Sequence, residues 1–247
     1  MANQHETTYG SMGSPDGAYR HEILLGRGIE LRLGDPKVDA EELARLLGQK
    51  STLFHLVGVV PYRLSEDERQ EIEKQYPIFP LITATTADVK KYYQKNAQTL
   101  IVAQNPKIEG KLSGSVAVQA GNPGVLTGNI SKLAVDEVER GQRIGLELVR
   151  AANAFIFGYL NFEQATAYVV LGVPNDHIPQ KILRDAGFRI QTELNRKCVS
   201  WDTERGKLVV RDALPFLLER RDYFERDTTR REIEKYLSVL ECLPKIA

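Results

Sequence analysis

The segment from about residue 128 to residue 173 constrains the fold most, because a strand, a long helix and a second strand follow one another there. Residues 128–135 and 165–173 have the composition of strands. Between them, residues 139–159 repeat apolar side chains at helical spacing. The apolar face of this helix carries Ile144, Leu148, Ala152, Phe155 and Tyr159. The pattern predicts a chain that mixes helices and strands.

The rest of the sequence alternates between the same two kinds of segment. Further strands are predicted at 28–33, 99–104, 112–120, 188–199 and 207–211. Further helices are predicted at 35–48, 65–76, 86–96 and 176–186. Near the carboxyl end, Pro215 is expected to begin a helix, and Thr229 to begin a capping box for another.

Composition argues against several classes of function. Lys+Arg and Asp+Glu both number 33, and this zero net charge argues against nucleic-acid binding through a generally basic surface. Cys198 and Cys242 lie far apart and the sequence has only four histidines, so no metal is expected. We see no signal peptide and no apolar run of membrane-spanning length, so we expect a cytoplasmic protein without a membrane partner.

The clearest chemical pattern lies at the end of the strand predicted at residues 128–135. The strand end Leu133-Ala134-Val135 is followed by a short loop and by Arg140-Gly141-Gln142-Arg143-Ile144-Gly145 at the start of a helix. The first N–H groups of a helix have no partner within it and lie at the positive end of its dipole, so they suit an anion such as a pyrophosphate. Small residues at positions 141 and 145 let a ligand approach the backbone closely.

This segment resembles the acyl-CoA-binding motif of the GNAT-type N-acetyltransferases, in which Arg/Gln-x-x-Gly-x-Gly/Ala opens a helix. Arg140 matches the leading position of the motif and Gly145 its closing position. Arg143 stands where the family has its middle glycine. Two outcomes stay open for this departure: the added Cβ crowds the pyrophosphate, or the guanidinium binds a phosphate oxygen itself.

A second segment, residues 175–188, resembles the next motif of the family, in which a helix starts near an Asn and closes with Gly-Phe. The two resemblances imply an α/β fold with a mixed, mostly antiparallel sheet flanked by helices. Two neighbouring parallel strands would splay apart to admit the pantetheine arm of acetyl-CoA, the implied co-substrate. Residues 140–145 would hold its pyrophosphate, the backbone of residues 133–135 would meet its amides, and Asn175 would contact the pantetheine.

The resemblance also divides the chain into parts. Residues 1–20 are polar and are expected to form a disordered tail. Residues 21–211 form the GNAT-like acyltransferase domain, with an insertion at 51–82. Residues 212–247 form a C-terminal helical extension, either a solvated hairpin packed on the domain or an arm that binds a partner.

Two catalytic groups common in the family are missing from their usual places. Leu183 stands where many members have a Tyr, and Asn129 and Ser131 lie near the position of a frequent Glu. Tyr168 and His177 are the substitutes that the sequence offers for proton transfer. The alternatives stay open that Tyr168 packs in the core and that His177 is an exposed residue of a first helical turn.

The implied activity is transfer of an acetyl group from acetyl-CoA to an amine by direct attack on the thioester. The acceptor would be an amine-bearing small molecule or protein, and a homodimer is compatible with the sequence. Two alternatives stay open: a degenerate member that binds acyl-CoA or a partner without turnover, and an acyltransferase that uses a longer acyl chain. Residues 63–74 hold more acids than bases, which slightly favours a cationic amine unless they form an exposed helix face.

Overall fold

The computed structural model describes residues 23–25, 28–61, 65–75, 82–95, 98–108, 110–121, 126–191, 196–226, 231 and 233–236. The tail predicted at residues 1–20 lies outside these residues, and so does the capping box predicted at Thr229.

The described residues form a series of strands and helices. The strands are β1 Ile23–Leu25, β2 Ile29–Leu33, β3 Val59–Val60, β4 Ile82–Thr83, β5 Thr99–Gln104, β6 Leu112–Ala120, β7 Thr127–Val135, β8 Gln164–Val170, β9 Arg189–Ile190, β10 Arg196–Asp202 and β11 Lys207–Glu219. The helices are α1 Ala40–Gly48, α2 Lys50–Leu53, α3 Glu66–Gln75, α4 Thr86–Lys95, α5 Ile144–Ala154, α6 His177–Asp185 and α7 Arg220–Phe224. A 3₁₀ turn covers Glu137–Glu139, and a π-helical turn, Phe155–Tyr159, continues α5.

One large sheet has the strand order β1-β2-β5-β6-β7-β8-β11-β10, with β9 also paired to β11. Among the described strands of this sheet, β7 and β8 pair in parallel and every other neighbouring pair is antiparallel. The expectation of a mixed, mostly antiparallel sheet is therefore confirmed. The short strands β3 and β4 form a separate parallel pair within the predicted insertion.

Helices cover both faces of the large sheet, because its strands are apolar on both sides. Ile101 and Ala103 of β5 belong to the apolar cluster that includes α5, whereas Leu100 and Val102 belong to the cluster that includes α1 and α4. Successive side chains of a strand point to opposite faces, so α5 lies on one face and α1 and α4 on the other. Strand β7 lies between these two layers and carries residues of both clusters.

Helix α1 begins later than the sequence suggested. We expected Asp35 to cap a helix that continues through Pro36, but the residue before the helix is Asp39. The carboxylate of Asp39 is buried and accepts hydrogen bonds from both terminal nitrogens of Arg32, at 2.6 and 2.8 Å. Charge-assisted pairs of this kind fix geometry strongly, so this pair holds the start of α1 against β2.

Pro215 does not begin a helix, because β11 runs on to Glu219 and carries the sheet past residue 211, where we expected the extension to begin. The carbonyl of Pro215 accepts a hydrogen bond from the Gln191 N–H at 3.0 Å, on the side of the strand away from β8. In an antiparallel strand the N–H of a residue lies on the same side as its carbonyl. On this side of β11, the pairing with β10 ends at Ala213 and the pairing with β9 begins at Phe216. Pro215 lies between them, so no strand pairing needs the N–H that proline lacks.

The helical segment after β11 packs on the domain. Tyr236 is buried, and its hydroxyl donates a hydrogen bond to the Glu147 carboxylate of α5 at 2.5 Å. The ammonium of Lys235 lies 2.8 Å from the same carboxylate. Burial opposes ionisation of Glu147, but these two partners outweigh it and hold the pKa of Glu147 below its usual value.

Candidate active site

The parallel strands at the centre of the sheet diverge. β7 and β8 pair from Thr127 to Ile130 and from Gln164 to Ala167, although both strands continue, to Val135 and Val170. The pairing of β7 with β6 shifts its register just beyond this point, and Lys132 has a φ of +53°. A bulge of this kind turns a strand away from its neighbour. The result is an opening between the carboxyl ends of β7 and β8.

Asp136 anchors the loop that follows β7. Its carboxylate is buried, accepts a hydrogen bond from the Val138 N–H at 3.2 Å and forms an ion pair with Arg45 at 2.6 Å. Burial opposes ionisation of this group, but the Val138 N–H and Arg45 outweigh it, so the pKa of Asp136 lies below its usual value. A charged Asp136 thus fixes the 3₁₀ turn that leads to residues 140–145.

Residues 140–145 place the start of α5 at this opening. Gly141 has a φ of +81° and Arg143 has a φ of +65°, so both adopt the left-handed conformation. Arg143 is the residue that precedes α5, and its side chain is exposed. A Cβ on Gly145 would lie 3.1 Å from Ile182 Cδ1 and 3.5 Å from Val135 Cγ2. The glycine at 145 therefore lets α5 approach α6 and β7.

A large cleft of about 920 Å³ lies beside the start of α5. Its lining includes nine of the ten predicted cofactor-binding residues: Leu133, Ala134, Val135, Arg140, Gly141, Arg143, Ile144, Gly145 and Asn175. The tenth, Gln142, turns its amide to Glu139 Oε2 at 2.5 Å and does not line the cleft. Asn175 has a φ of +60°, and His177 lines the same cleft at the start of α6.

A smaller cavity of about 440 Å³ adjoins the cleft, and we call it the acceptor cavity. Its walls come mainly from β7, β8 and β10, and it shares His55, Leu133 and Pro179 with the cleft. Tyr168 lines it, so this side chain does not simply pack in the core. Its ring centroid lies 5.1 Å from the guanidinium carbon of Arg196. The cavity and the cleft thus meet at the opening between β7 and β8.

Solved structures have a similar fold, although no family model matches the chain and no curated protein matches it. A spermidine N-acetyltransferase SpeG chimera from Vibrio cholerae and hSSAT is 14% identical with a TM-score of 0.55, over 81% of this chain and 99% of that one. Ribosomal-protein-S5-alanine acetyltransferase from Vibrio fischeri is 14% identical with a TM-score of 0.54, over 81% and 97%. A Vibrio cholerae spermidine N-acetyltransferase in complex with CoA and spermine is 14% identical with a TM-score of 0.50, over 80% and 99%. The chain has the GNAT fold.

Within this GNAT fold, His55 is a residue that the sequence analysis missed. It lies where the cleft and the acceptor cavity meet, and its Nδ1 is buried without a hydrogen-bond partner among the described residues. Burial and the charge of Arg140 lower the pKa of His55, against smaller opposing effects of Asp176 and the Pro174 backbone. The lowered pKa favours the neutral imidazole of His55 at pH 7, in which one ring nitrogen carries a lone pair. The only sequence signal was a histidine inside the apolar run 53–57.

Lys132 is a second missed residue of the acceptor cavity. Its ammonium donates a hydrogen bond to the Val57 carbonyl at 2.5 Å and lies 5.9 Å from the centroid of the Tyr92 ring. Burial lowers the pKa of Lys132 to about 8. The signal in the sequence was a lysine within an otherwise strand-like segment, and we did not use it.

Asn129 and Ser131 face the same cavity. Their Oδ1 and Oγ atoms are buried and have no hydrogen-bond partner among the described residues. Buried polar atoms in folded proteins are nearly always hydrogen-bonded, so a water or a polar ligand fits beside these two. Leu183, which replaces the frequent Tyr of the family, lines the acceptor cavity and offers no proton.

The described part of the chain holds neither a metal-ligand cluster nor a membrane-spanning helix. No three His, Cys, Asp or Glu side chains come together there as a metal site. No helix there has both the length and the apolar character that a membrane span needs.

Proposed function

We propose that this protein is an N-acyltransferase that moves an acetyl group from acetyl-CoA to an amine. One observation supports the proposal above all: the diverging ends of β7 and β8 join a cleft at the start of a helix to a separate cavity, with a neutral histidine at the junction. The cleft would take the co-substrate and the cavity the amine. The two reactants would then meet through the opening in the sheet.

The cleft fits the parts of acetyl-CoA. The free N–H groups at the start of α5 and the guanidinium groups of Arg140 and Arg143 suit a pyrophosphate. The edge of β7 that faces β8 is not paired with β8 beyond Ile130, which leaves backbone groups to bind the pantetheine amides, although the Val135 carbonyl accepts a hydrogen bond from Arg140 at 3.5 Å. Arg143 already has the left-handed conformation that a glycine would adopt, so its Cβ does not alter the loop. Asn175 lines the cleft near the proposed path of the pantetheine.

The proposed reaction is a direct transfer. The amine nitrogen forms a bond to the thioester carbonyl carbon, the carbon–sulfur bond breaks, and the sulfur leaves with the bonding electron pair. One proton leaves the nitrogen and one proton is taken up by the departing thiolate, so the products are the N-acetyl amine and CoA with a free thiol. An acyl-enzyme on Cys198 is disfavoured, because burial raises the pKa of this thiol to about 11.

We assign the proton acceptor to His55. A general base must be unprotonated at the working pH and must lie within reach of the reacting nitrogen. Nδ1 of His55 meets the first condition through its lowered pKa and the second through its place at the junction. Tyr168 lines the acceptor cavity and would position the amine. His177 lines the cleft and is the candidate for protonating the thiolate.

The first experiment is thermal unfolding with acetyl-CoA, CoA and NAD, each in excess. A ligand at about a hundred times its dissociation constant adds roughly 2.7 kcal/mol, which is about 5–10 °C for a chain of this size. We expect this shift with acetyl-CoA and CoA and none with NAD. Free-thiol release with a panel of amines then measures turnover, and longer acyl-CoA competitors test the acyl chain length.

The combination of results separates the alternatives. A thermal shift with thiol release supports N-acyl transfer. A shift without thiol release for any amine supports a protein that binds acyl-CoA without turnover. No shift with either CoA compound refutes the assignment of the cleft.

A further inference from the structure

The acceptor cavity has cationic groups but no anionic ones. Its described lining includes Lys132, Arg196 and Lys197, whereas no Asp or Glu of the described residues lines it. Lys197 forms an ion pair with Asp212 at 2.5 Å, so its charge is largely neutralised. Lys132 and Arg196 therefore determine the charge that the cavity presents.

We propose that the amine acceptor also carries a carboxylate, as an α-amino acid does, and that Arg196 and Lys132 recognise this carboxylate. The inference rests on the proposed function and adds the chemical class of its acceptor.

Arg196 is placed for this role. Its guanidinium carbon lies 5.1 Å from the centroid of the Tyr168 ring at the cavity, and no carboxylate of the described residues forms an ion pair with it. A guanidinium presents paired donors that match the two oxygens of a carboxylate. A cation–π contact with Tyr168 leaves the N–H donors of the guanidinium to bind such a ligand. The Arg196–Tyr168 pair thus forms a preorganised carboxylate site.

Lys132 supplies a second cation deeper in the structure. Its ammonium has three donors, and the hydrogen bond to the Val57 carbonyl uses one of them. A buried ammonium is costly without a countercharge, which is why burial lowers the pKa of Lys132. A bound carboxylate would supply that countercharge and favour the protonated amine of Lys132.

The remaining polar groups suit the other end of such an acceptor. Asn129 Oδ1 and Ser131 Oγ are buried and unpartnered, and His55 Nδ1 is an available acceptor at the opening. These atoms can accept hydrogen bonds from an amine, whereas Arg196 and Lys132 cannot. The cavity volume of about 440 Å³ lies within the range of small-molecule sites.

A polyamine does not fit the same charges. A second ammonium on the acceptor would lie in a cavity that holds two cations and no described carboxylate. Four acids of α3, Glu66, Asp67, Glu68 and Glu71, are exposed and line neither the cleft nor the cavity. The acid excess of residues 63–74, which slightly favoured a cationic acceptor, therefore does not extend to the site in its described part.

The test compares matched pairs of amines under saturating acetyl-CoA, with free-thiol release as the readout. Each pair consists of an L-amino acid and the amine that decarboxylation would leave, for example phenylalanine and phenethylamine, and spermidine is added. We expect kcat/KM for the best amino acid to exceed that of its decarboxylated partner about ten- to a hundredfold, the usual range for one charge-assisted pair. Equal or higher kcat/KM for decarboxylated amines or spermidine overturns the inference and leaves the proposed function standing.

Two variants test whether Arg196 recognises the carboxylate of the acceptor. Arg196→Gln should raise KM for the amino acid about tenfold or more, and the ratio of kcat/KM between the amino acid and its decarboxylated partner should fall about tenfold. Arg205→Gln is the control, because Arg205 lies on the turn between β10 and β11 and lines neither the cleft nor the cavity. Titration of the same amines into the CoA-bound protein reports binding without turnover. If no amino acid binds or reacts, the inference fails. If no amine of any kind reacts, the proposed function fails as well.

Discussion

The assignment of His55 as the proton acceptor predicts a specific loss of rate. His55→Gln keeps a polar side chain of similar reach but removes a group that takes up a proton. A positioned general base usually contributes about 10²- to 10⁴-fold, so we expect kcat to fall by at least about a hundredfold with saturating acetyl-CoA and amine. The KM for acetyl-CoA should change little, since His55 is shared with the acceptor cavity and lies outside residues 140–145, which are proposed to hold the pyrophosphate.

The pH dependence provides a sharper test. The neutral imidazole is the active form, so kcat should rise with pH up to the pKa of His55 and be level above it. Burial and Arg140 place this pKa below the ordinary value of 6.5. The rising limb should therefore lie below pH 6.5 and be absent in His55→Gln.

Two neighbours of His55 should move this limb in opposite directions. Arg140 lowers the pKa of His55 and Asp176 raises it. Arg140→Gln should therefore shift the rising limb of kcat to higher pH, and Asp176→Asn should shift it to lower pH. The assay is free-thiol release from pH 5 to pH 9 with both substrates saturating. A limb that does not move in either variant, or a His55→Gln enzyme with nearly full kcat, would refute the reasoning.

Three further perturbations test other parts of the structure. Because the pKa of Lys132 falls from 10.5 to about 8 on folding, the unfolded state binds more protons between these values, so the free energy of unfolding should rise from pH 8 toward pH 10. Chemical denaturation should show this rise, and Lys132→Met should abolish it. Arg143→Gly should lower acetyl-CoA affinity at most about tenfold, because the loop already has a glycine-like conformation; a larger loss in calorimetric titration would make the guanidinium a principal phosphate ligand. Tyr236→Phe removes the hydrogen bond to Glu147 and should lower the free energy of unfolding by about 1–3 kcal/mol, whereas an unchanged melting temperature would mean that this contact stabilises nothing.

The cleft could be predicted from the sequence because its residues are local. The strand end at 133–135, the loop and the helix start follow one another within a dozen or so residues, and helix signals act over such distances. Arg143 shows the limit of motif matching, since a residue other than glycine adopts the left-handed backbone there. The sequence indicates a departure from the motif at this position, but only the backbone shows that Arg143 adopts a conformation typical of glycine.

The acceptor cavity could not be predicted in the same way, because its residues come from distant segments. His55 reaches the opening only through the packing of α2 and the chain after it beside β10, and Lys132 reaches the cavity through a bulge in β7. β11 was underestimated for a related reason: Pro215 argues against a strand until the neighbours of that strand are known. In each case, contacts between segments far apart in the sequence determine the structure, and no short sequence pattern predicts these contacts.

The charged residues at the acceptor cavity also come together from distant segments, and they bear on the class of acceptor. The acids of residues 63–74 lie close together in the sequence, so they stand out, but Glu66, Asp67, Glu68 and Glu71 on α3 are exposed and their fields are screened by water and salt. Lys132 and Arg196 lie on separate strands, and the zero net charge of the sequence does not indicate that they line one cavity. Lys132 lies among the apolar walls of the cavity and acts through a lower dielectric, and the more exposed Arg196 lies at the same cavity beside Tyr168. The position of the charges, rather than their sum, therefore favours a carboxylate-bearing acceptor over the polycation that the linear pattern suggested.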